Sequence, residues 1–377
     1  MTVDLNEELE DFANEHGEPH WLVKRRLAAL EAAKDFNNFN VDQWEYFPMK
    51  APAKPKLTHE IVDQIEYQDY ELGITQFGQS NLDTSIPDEL DDEGLLLTDV
   101  FTAFRQHPRL IQNNFMSKVI PEDTDQLTSL HTAFFNNGIF LYIPKDCQLT
   151  KPIQLNVFQD SIHDQPLVHN VFIVAEEGSR AQVILNAETI GKMSNIASFM
   201  VEIIAKANSK LSFTSTNHFS QNTTLYMMQH AHISRDAKVD WNNISDNGGD
   251  NYVDTGSMLA GKNAESHINS ISKQNGGSKI NINNEIEHRY DQNTGEIEQI
   301  SFVSDVENAS ISTITSDKEL QSSHVVTGKK NTGNSVIKID TDLVGKYNYS
   351  SASVEEDEFS NEFKRAIQSI NQGIVEN

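Results

Sequence analysis

The chain has 377 residues, 37% of them apolar and including 19 Phe and three Trp; that is enough for a large packed interior and excludes wholesale disorder. Its 29 Lys and Arg face 56 Asp and Glu, a formal charge of −27, and so acidic a surface repels phosphate backbones and anionic lipid, excluding nucleic acid and membranes as partners. A single cysteine, Cys147, excludes an intrachain disulfide and cannot alone hold a cluster or a structural zinc.

The opening MTVDLNEELEDF lacks a basic stretch followed by an apolar one, so no secretory signal is expected. Apolar runs such as IFLYI (139–143) and VFIVA (171–175) fall far below the ~20 residues of a membrane helix, and a cytoplasmic location is expected. Residues 19–36, PHWLVKRRLAALEAAKDF, predict a helix that docks on its own domain through Val23, Leu27 and Leu30, with Lys24, Arg25 and Arg26 on the wet side. Pro48, Pro52 and Pro55 then mark a connector without regular structure. TDVFTAFRQ (98–106) predicts a second helix, capped by Thr98 or Asp99 and ended by His107-Pro108. Residues 1–124 are therefore expected to form a mixed, partly helical domain.

From residue 125 the texture changes to short alternating segments: FLYIP, IQLNVF, VFIVAE, AQVILN, VEIIAKA, KLSFTS, KVDWNN, IEQISFV and SVIKID. Each alternates inward apolar with outward polar residues, as a half-buried strand does. Small residues open four of these segments at Ala181, Ser209, Ala237 and Ala264, at spacings of 28, 28 and 27 residues. A small corner residue followed by a strand at a fixed distance predicts a stack of coils over residues 125–350; a β-sandwich with coincidental spacing is the alternative. In 351–377, Phe359, Phe363, Ile367, Ile370 and Ile374 step by 4, 4, 3 and 4, predicting one amphipathic helix whose stripe either caps the open end of the stack or binds a partner.

No catalytic constellation is present. His230 and His232, two apart on a strand, share a face with Met228, but two ligands do not close a metal site. Cys147 in PKDCQLTKP has only Lys145 and Lys151 nearby, and a quiet strand thiol is expected. His324 has no partner in the sequence around it. Phosphate-cradling glycine motifs and a nucleophile elbow are absent.

The stretch LHTAFFNNGIFLYIPKDCQLTKPIQL (130–155), with Asn136, Asn137, Gly138, Pro144, Lys145, Lys151 and Pro152, resembles the entry into the β-helix of the SufB/SufD family of iron–sulfur cluster assembly scaffolds. PHWLVKRRLAALEAA resembles that family's N-terminal helix, DQWEYF (42–47) the aromatic motif after it, HNVFIVAEEGSRAQVI (169–184) a typical rung, and HRYDQNTGEIE (288–298) another family segment. The resemblance implies a mainly β protein, a right-handed parallel β-helix flanked by a partly helical N-terminal domain and a short C-terminal helix. It further implies a non-catalytic scaffold that pairs with a SufB-like subunit and binds a SufC-type ABC ATPase, with the iron–sulfur cluster handled by the complex and none bound stably by this chain alone. A homodimer is the alternative to pairing with the SufB-like subunit.

The lack of a cysteine series points to the SufD branch. The family's histidine after the last coil has no counterpart in LVGKYNYSSASVEE (343–356), where Ser350 stands nearest. A carbohydrate-active β-helix enzyme of the polysaccharide lyase type is the competing function; it requires a groove with a basic or calcium-bound cluster to stabilise an enolate. A left-handed acyltransferase helix requires a six-residue aliphatic rhythm that is missing.

Overall fold

The computed structural model describes residues 5–35, 65, 70–163, 165–275, 278–290, 292–304, 308–316, 321–330, 337–342, 346–353, 364, 365 and 368. Two helices open it, α1 (Leu5–His16) and α2 (His20–Asp35). The buried face of α2 is Leu22, Arg26, Ala29, Leu30 and Ala33, one position away from the stripe expected from Val23 and Leu27. Arg26 is therefore not on the wet side. It is 0% exposed, donates from Nε and Nη2 to Glu18 at 2.9 and 2.7 Å and from Nη1 to the Ala133 carbonyl at 2.9 Å, and lies 3.7 Å over the Phe135 ring. A buried guanidinium is tolerated because each of its three nitrogens donates a hydrogen bond and Glu18 meets its charge.

Three short helices follow, α3 (Asp88–Asp92), α4 (Val100–Gln106) and α5 (Pro108–Ile111). The expected cap of α4 is Asp99, whose carboxylate accepts from the Thr102 N–H at 2.9 Å. A sixth helix, α6 (Gln126–Phe134), opens with a capping box between Asp125 and Thr128.

Two sheets make up the rest. In the first run β5 (Ile153–Ser161), β7 (Arg180–Gly191), β9 (Lys210–His218), β11 (Lys238–Asn247), β13 (Glu265–Asn275), β15 (Thr294–Ser304), β17 (Gln321–Lys330) and β19 (Lys346–Ser353). In the second run β4 (Asn137–Ile143), β6 (Leu167–Ala175), β8 (Asn195–Ala205), β10 (Thr223–Ile233), β12 (Asn251–Leu259), β14 (Lys279–His288), β16 (Asn308–Ser316) and β18 (Ile337–Asp342). Successive strands alternate between the sheets, and from β6 onward each pairs in parallel with the strand two before it. The chain thus winds as a parallel β-helix with one strand per face in each coil, and not as a closed sandwich.

Upstream, β1 (Gly73–Phe77) pairs in parallel with β5, while β2 (Ser80–Ser85) and β3 (Leu96–Asp99) add antiparallel to β1 and β4. These two short strands close the first edge of each sheet.

Inward side chains from both sheets form one continuous core, from Leu72 and Ile139 to Ile286 and Ile297. A second cluster fills the space between the helices and the outer face of the second sheet, where Phe104, Phe115 and Phe135 meet Phe140, Phe172, Met200 and Met228. Burying large aromatics between layers makes the helical part and the first coils one packed unit.

The coils turn on a shared corner. Asp146, Gly178, Asn208, Asp236 and Asn263 all have φ between 57° and 72°, a conformation that favours Gly, Asn and Asp. Stacking is direct: the N–H groups of Asp146, Gly178, Asn208 and Asp236 donate to the carbonyls of Glu177, Ala207, Arg235 and Lys262 in the next coil. The residue after each is small and buried, in the order Cys147, Ser179, Ser209, Ala237 and Ala264. Arg180 pairs with Lys210, so Ser179 and not Ala181 is the counterpart of Ser209. The expected first spacing of 28 residues is corrected to 30.

Candidate functional site: the outer flank of the second sheet

Past the region covered by helices, the outer face of the second sheet turns from apolar to ionisable. Parallel pairing sets the rows: Glu202, His230, Gly256 and Glu285 occupy equivalent positions on β8, β10, β12 and β14, with Met228, Asp254 and Asn283 in the row beside them and His232, Met258 and Glu287 in the next. His230 Nε2 lies 2.8 Å from Asp254 Oδ2, and the Asn283 amide donates to Asp254 Oδ1 at 2.6 Å. The ring crosses Gly256, where a Cβ would stand 2.9 Å from Cε1 and Nε2; glycine is what leaves His230 room to reach Asp254. Lys118 and Val119 close over a cavity of about 90 Å³ that His230, His232, Glu285 and Glu287 also line.

Glu202 is the most enclosed acid, 1% exposed. Its carboxylate accepts from the Met116 N–H at 2.8 Å and the Ile120 N–H at 3.2 Å, pinning the 115–120 turn onto β8. Arg25 holds the same turn from the other side through the Phe115 carbonyl at 2.6 Å and Glu122 at 3.3 Å. Burial pushes the Glu202 carboxyl up to about 7, against the pull of the two N–H donors, Arg25 and His230. Burial opposes charge on His230, but Asp254, with Glu285 and Glu202 farther off, outweighs it and leaves the ring's value raised. Burial likewise opposes charge on Asp254, and His230 with the Asn283 amide leaves it lowered. His232 is lowered by burial and by Lys118.

His230, His232 and Met228 do share one strand face, as expected. Met228 packs in the aromatic cluster, and His230 is engaged by Asp254. Sequence reasoning missed Asp254, Glu285 and Glu287, which stand 22 to 57 residues from the pair and reach it only through coil stacking. Among the described residues, no group of three or more His, Cys, Asp or Glu is arranged to hold a metal ion. Cys147 is 6% exposed and plugs a corner, and burial together with Glu93 pushes its thiol up. His324 pairs with Ile297 and Tyr347, and Ser350 with Thr327, in the last strands of the first sheet. Phe359, Phe363, Ile367, Ile370 and Ile374 lie outside the described residues, as do DQWEYF and the proline connector. No helix among the described residues is long and apolar enough to cross a membrane.

Residues 157–317 match the family described as SUF system FeS cluster assembly, SufBD core domain, and residues 77–155 match the SufBD protein N-terminal region. The chain is 30% identical over 303 residues to the iron-sulfur cluster assembly protein SufD of Bacillus subtilis, covering 70% of this chain and 66% of that protein. It is 21% identical over 253 residues to a SufBD family protein of Staphylococcus saprophyticus, 61% of this chain and 54% of the relative, and 22% identical over 246 residues to one of Staphylococcus haemolyticus, 59% and 52%. The chain thus spans between half and two thirds of the length of these relatives. Strands β6 to β16 fall in the core-domain match, β5 straddles the boundary between the two matches, and the described strands before it lie in the N-terminal match or at its edge. By its coils and by these matches, the chain belongs to the SufBD family.

Proposed function

We infer that the chain is a SufD-type, non-catalytic scaffold subunit of the SUF system, pairing with a SufB-like subunit and binding a SufC-type ABC ATPase in the cytoplasm. The iron–sulfur cluster is handled by the complex and not held by this chain alone. The observation that carries this reading is the continuous core running through stacked coils where the family match lies: inward side chains fill the coil, which leaves its flanks and ends for work by contact. The single buried thiol, pushed up by its surroundings, supports the SufD branch over one that works through cysteines. We propose the stripe Phe359, Phe363, Ile367, Ile370 and Ile374 for the ATPase contact, with a cap on the solenoid end as the alternative, since an apolar stripe at helical spacing requires a surface to cover it.

Co-expression of the chain with the SufB-like subunit and SufC-type ATPase of its own host, followed by size-exclusion chromatography, tests the scaffold role. A three-component complex is expected. Elution of the chain alone or as a homodimer, with both candidates present and folded, overturns it. Phe363→Asp is expected to remove the ATPase while leaving the SufB-like subunit bound and the β-sheet circular dichroism unchanged. Retention of the ATPase by this variant assigns the stripe to capping the solenoid.

A further inference from the structure

The corner that turns the second sheet into the first carries an unusual share of the positive charge. Its five-residue segments read PKDCQ (144–148), EEGSR (176–180), KANSK (206–210), SRDAK (234–238) and GKNAE (261–265), placing seven Lys and Arg against five acids in a chain of net charge −27. Arg180, Lys210 and Lys238 are opposed directly on adjacent strands. Like charges in that position repel. Local acids relieve part of the repulsion: Lys206 pairs with Glu176 at 2.6 Å, Arg235 with Asp236 at 3.1 Å, and Lys238 with Asp240 at 3.0 Å. Among the described residues, Arg180 and Lys210 are in no ion pair, and both are exposed. Glu265 ends the column beyond Lys238.

We propose that the Arg180–Lys210–Lys238 column is a docking surface for an acidic α-helix of a partner protein. The match is one of spacing as well as sign. Adjacent strands place these side chains about 4.8 Å and about 9.6 Å along the solenoid axis. A helix laid along that axis carries carboxylates at i, i+3 and i+7 about 4.5 and 10.5 Å apart. A nucleic acid or other long polyanion fits less well, because its charge runs on past the column into the acid-rich remainder of the surface. This proposal does not depend on the ATPase contact.

The probe is a capped alanine-based helical peptide with Glu at i, i+3 and i+7, read by fluorescence anisotropy at low salt against a peptide of the same composition with its Glu residues spread around the helix. The striped peptide is expected to bind the full chain more tightly, to lose about tenfold in Arg180→Glu/Lys210→Glu, and to weaken with salt. Equal binding of the two peptides, unchanged binding by the variant, or tighter binding of a short DNA duplex overturns the proposal. A second readout keeps folding separate. Lys210→Glu turns two repulsive neighbours into attractive ones, so its thermal midpoint is expected to rise by about 1 °C; a fall removes the premise that the column is held against repulsion.

Discussion

Glu202 is a carboxyl whose two functions pull in opposite directions. Its oxygens satisfy the N–H groups of Met116 and Ile120, yet its burial disfavours the charge that makes it the better acceptor. With a folded value of about 7 against 4.5 for the free group, its contribution is fully present below pH 4.5 and lost as pH rises through 7, on the order of 3 kcal/mol. His131 and His169 act in the other sense. Both are enclosed, His131 Nδ1 lies 2.8 Å from the Ser198 hydroxyl and His169 Nε2 2.7 Å from Gln76 Oε1, and burial lowers each to about 3. The unfolded chain takes up those protons below pH 6.5 and the folded one does not, so stability falls as pH drops from 6.5 toward 3. Two histidines outweigh one acid between pH 4.5 and 6.5; above 6.5 their remaining gain offsets most of the Glu202 loss, and His230, whose folded value is raised, also loses stability there as it gives up its proton. Replacing Glu202 removes only its own falling part, so stability to urea of Glu202→Gln relative to the wild type is expected to rise by on the order of 1 kcal/mol from pH 6 to 8. A difference between the two that does not change with pH over that interval contradicts the assignment. None of this was legible in the sequence, where Glu202 sits in an ordinary alternating segment; the Met116 and Ile120 groups that meet it are more than 80 residues away.

At the scale of single elements, turns show which glycines are required. Gly191, at the end of β7, has φ 105°, and a Cβ there would stand 2.3 to 2.4 Å from the backbone of Ser161 and Ile162. Gly94, between α3 and β3, has φ 89° with nothing within 4 Å. Both substitutions strain the backbone, but only one also collides with it. Gly94→Ala is expected to cost about 1 kcal/mol and Gly191→Ala upwards of about 3 kcal/mol, read from urea midpoints of the two variants; similar losses would mean that the neighbouring coil moves aside freely. The same corners explain how far the repeat could be read. Alternation located most strands, because the interior accepts apolar side chains at every second position. The phase slipped at Ala181 because the residue that actually makes the corner is Gly178, and its counterparts Asn208, Asp236 and Asn263 are alike in allowed φ but not in letter. Arg26 was misplaced for a similar reason: it is buried as a hydrogen-bonded ion, which no hydropathy pattern marks.

Across the whole molecule, the interior changes character along the solenoid axis. In the first coils it is mainly apolar: Ile139, Leu141, Val171, Ile173, Leu185, Phe199, Val201 and Phe213 are all 0% exposed, with Gln76, Gln159 and His169 buried beside them. In later coils the middle of the interior is a ladder of amides and hydroxyls. Gln229 and Asn243 bond to each other, Asn243 to Thr255 and Ser270, Ser270 to Asn284, Asn284 to Gln299 and Gln299 to Ser301. Burying an aliphatic or aromatic side chain contributes about 1.5–3 kcal/mol, whereas a buried hydrogen bond contributes a net 0.5–1.5 kcal/mol, roughly half as much. The first coils also gain the aromatic cluster on their outer face, which ends at Met228, Tyr226 and Tyr252. A solenoid's stability is a sum of coil and neighbour terms, so opening is expected to begin at the later coils and to stop where the apolar interior starts. Hydrogen exchange read by mass spectrometry tests this directly. Amides of β4 to β9 are expected to exchange only through global unfolding, while those of β13 to β15 exchange earlier and with a smaller dependence on urea. Uniform protection from β4 to β15 would show that the ladder holds its coils as firmly as an apolar core, through cooperative strengthening along the chain of hydrogen bonds. Asn243→Ala separates the two cases: it removes one hydrogen bond each from Ser215, Gln229, Thr255 and Ser270, so a cooperative ladder loses protection along its whole length, and a merely additive one only in the coils beside β11.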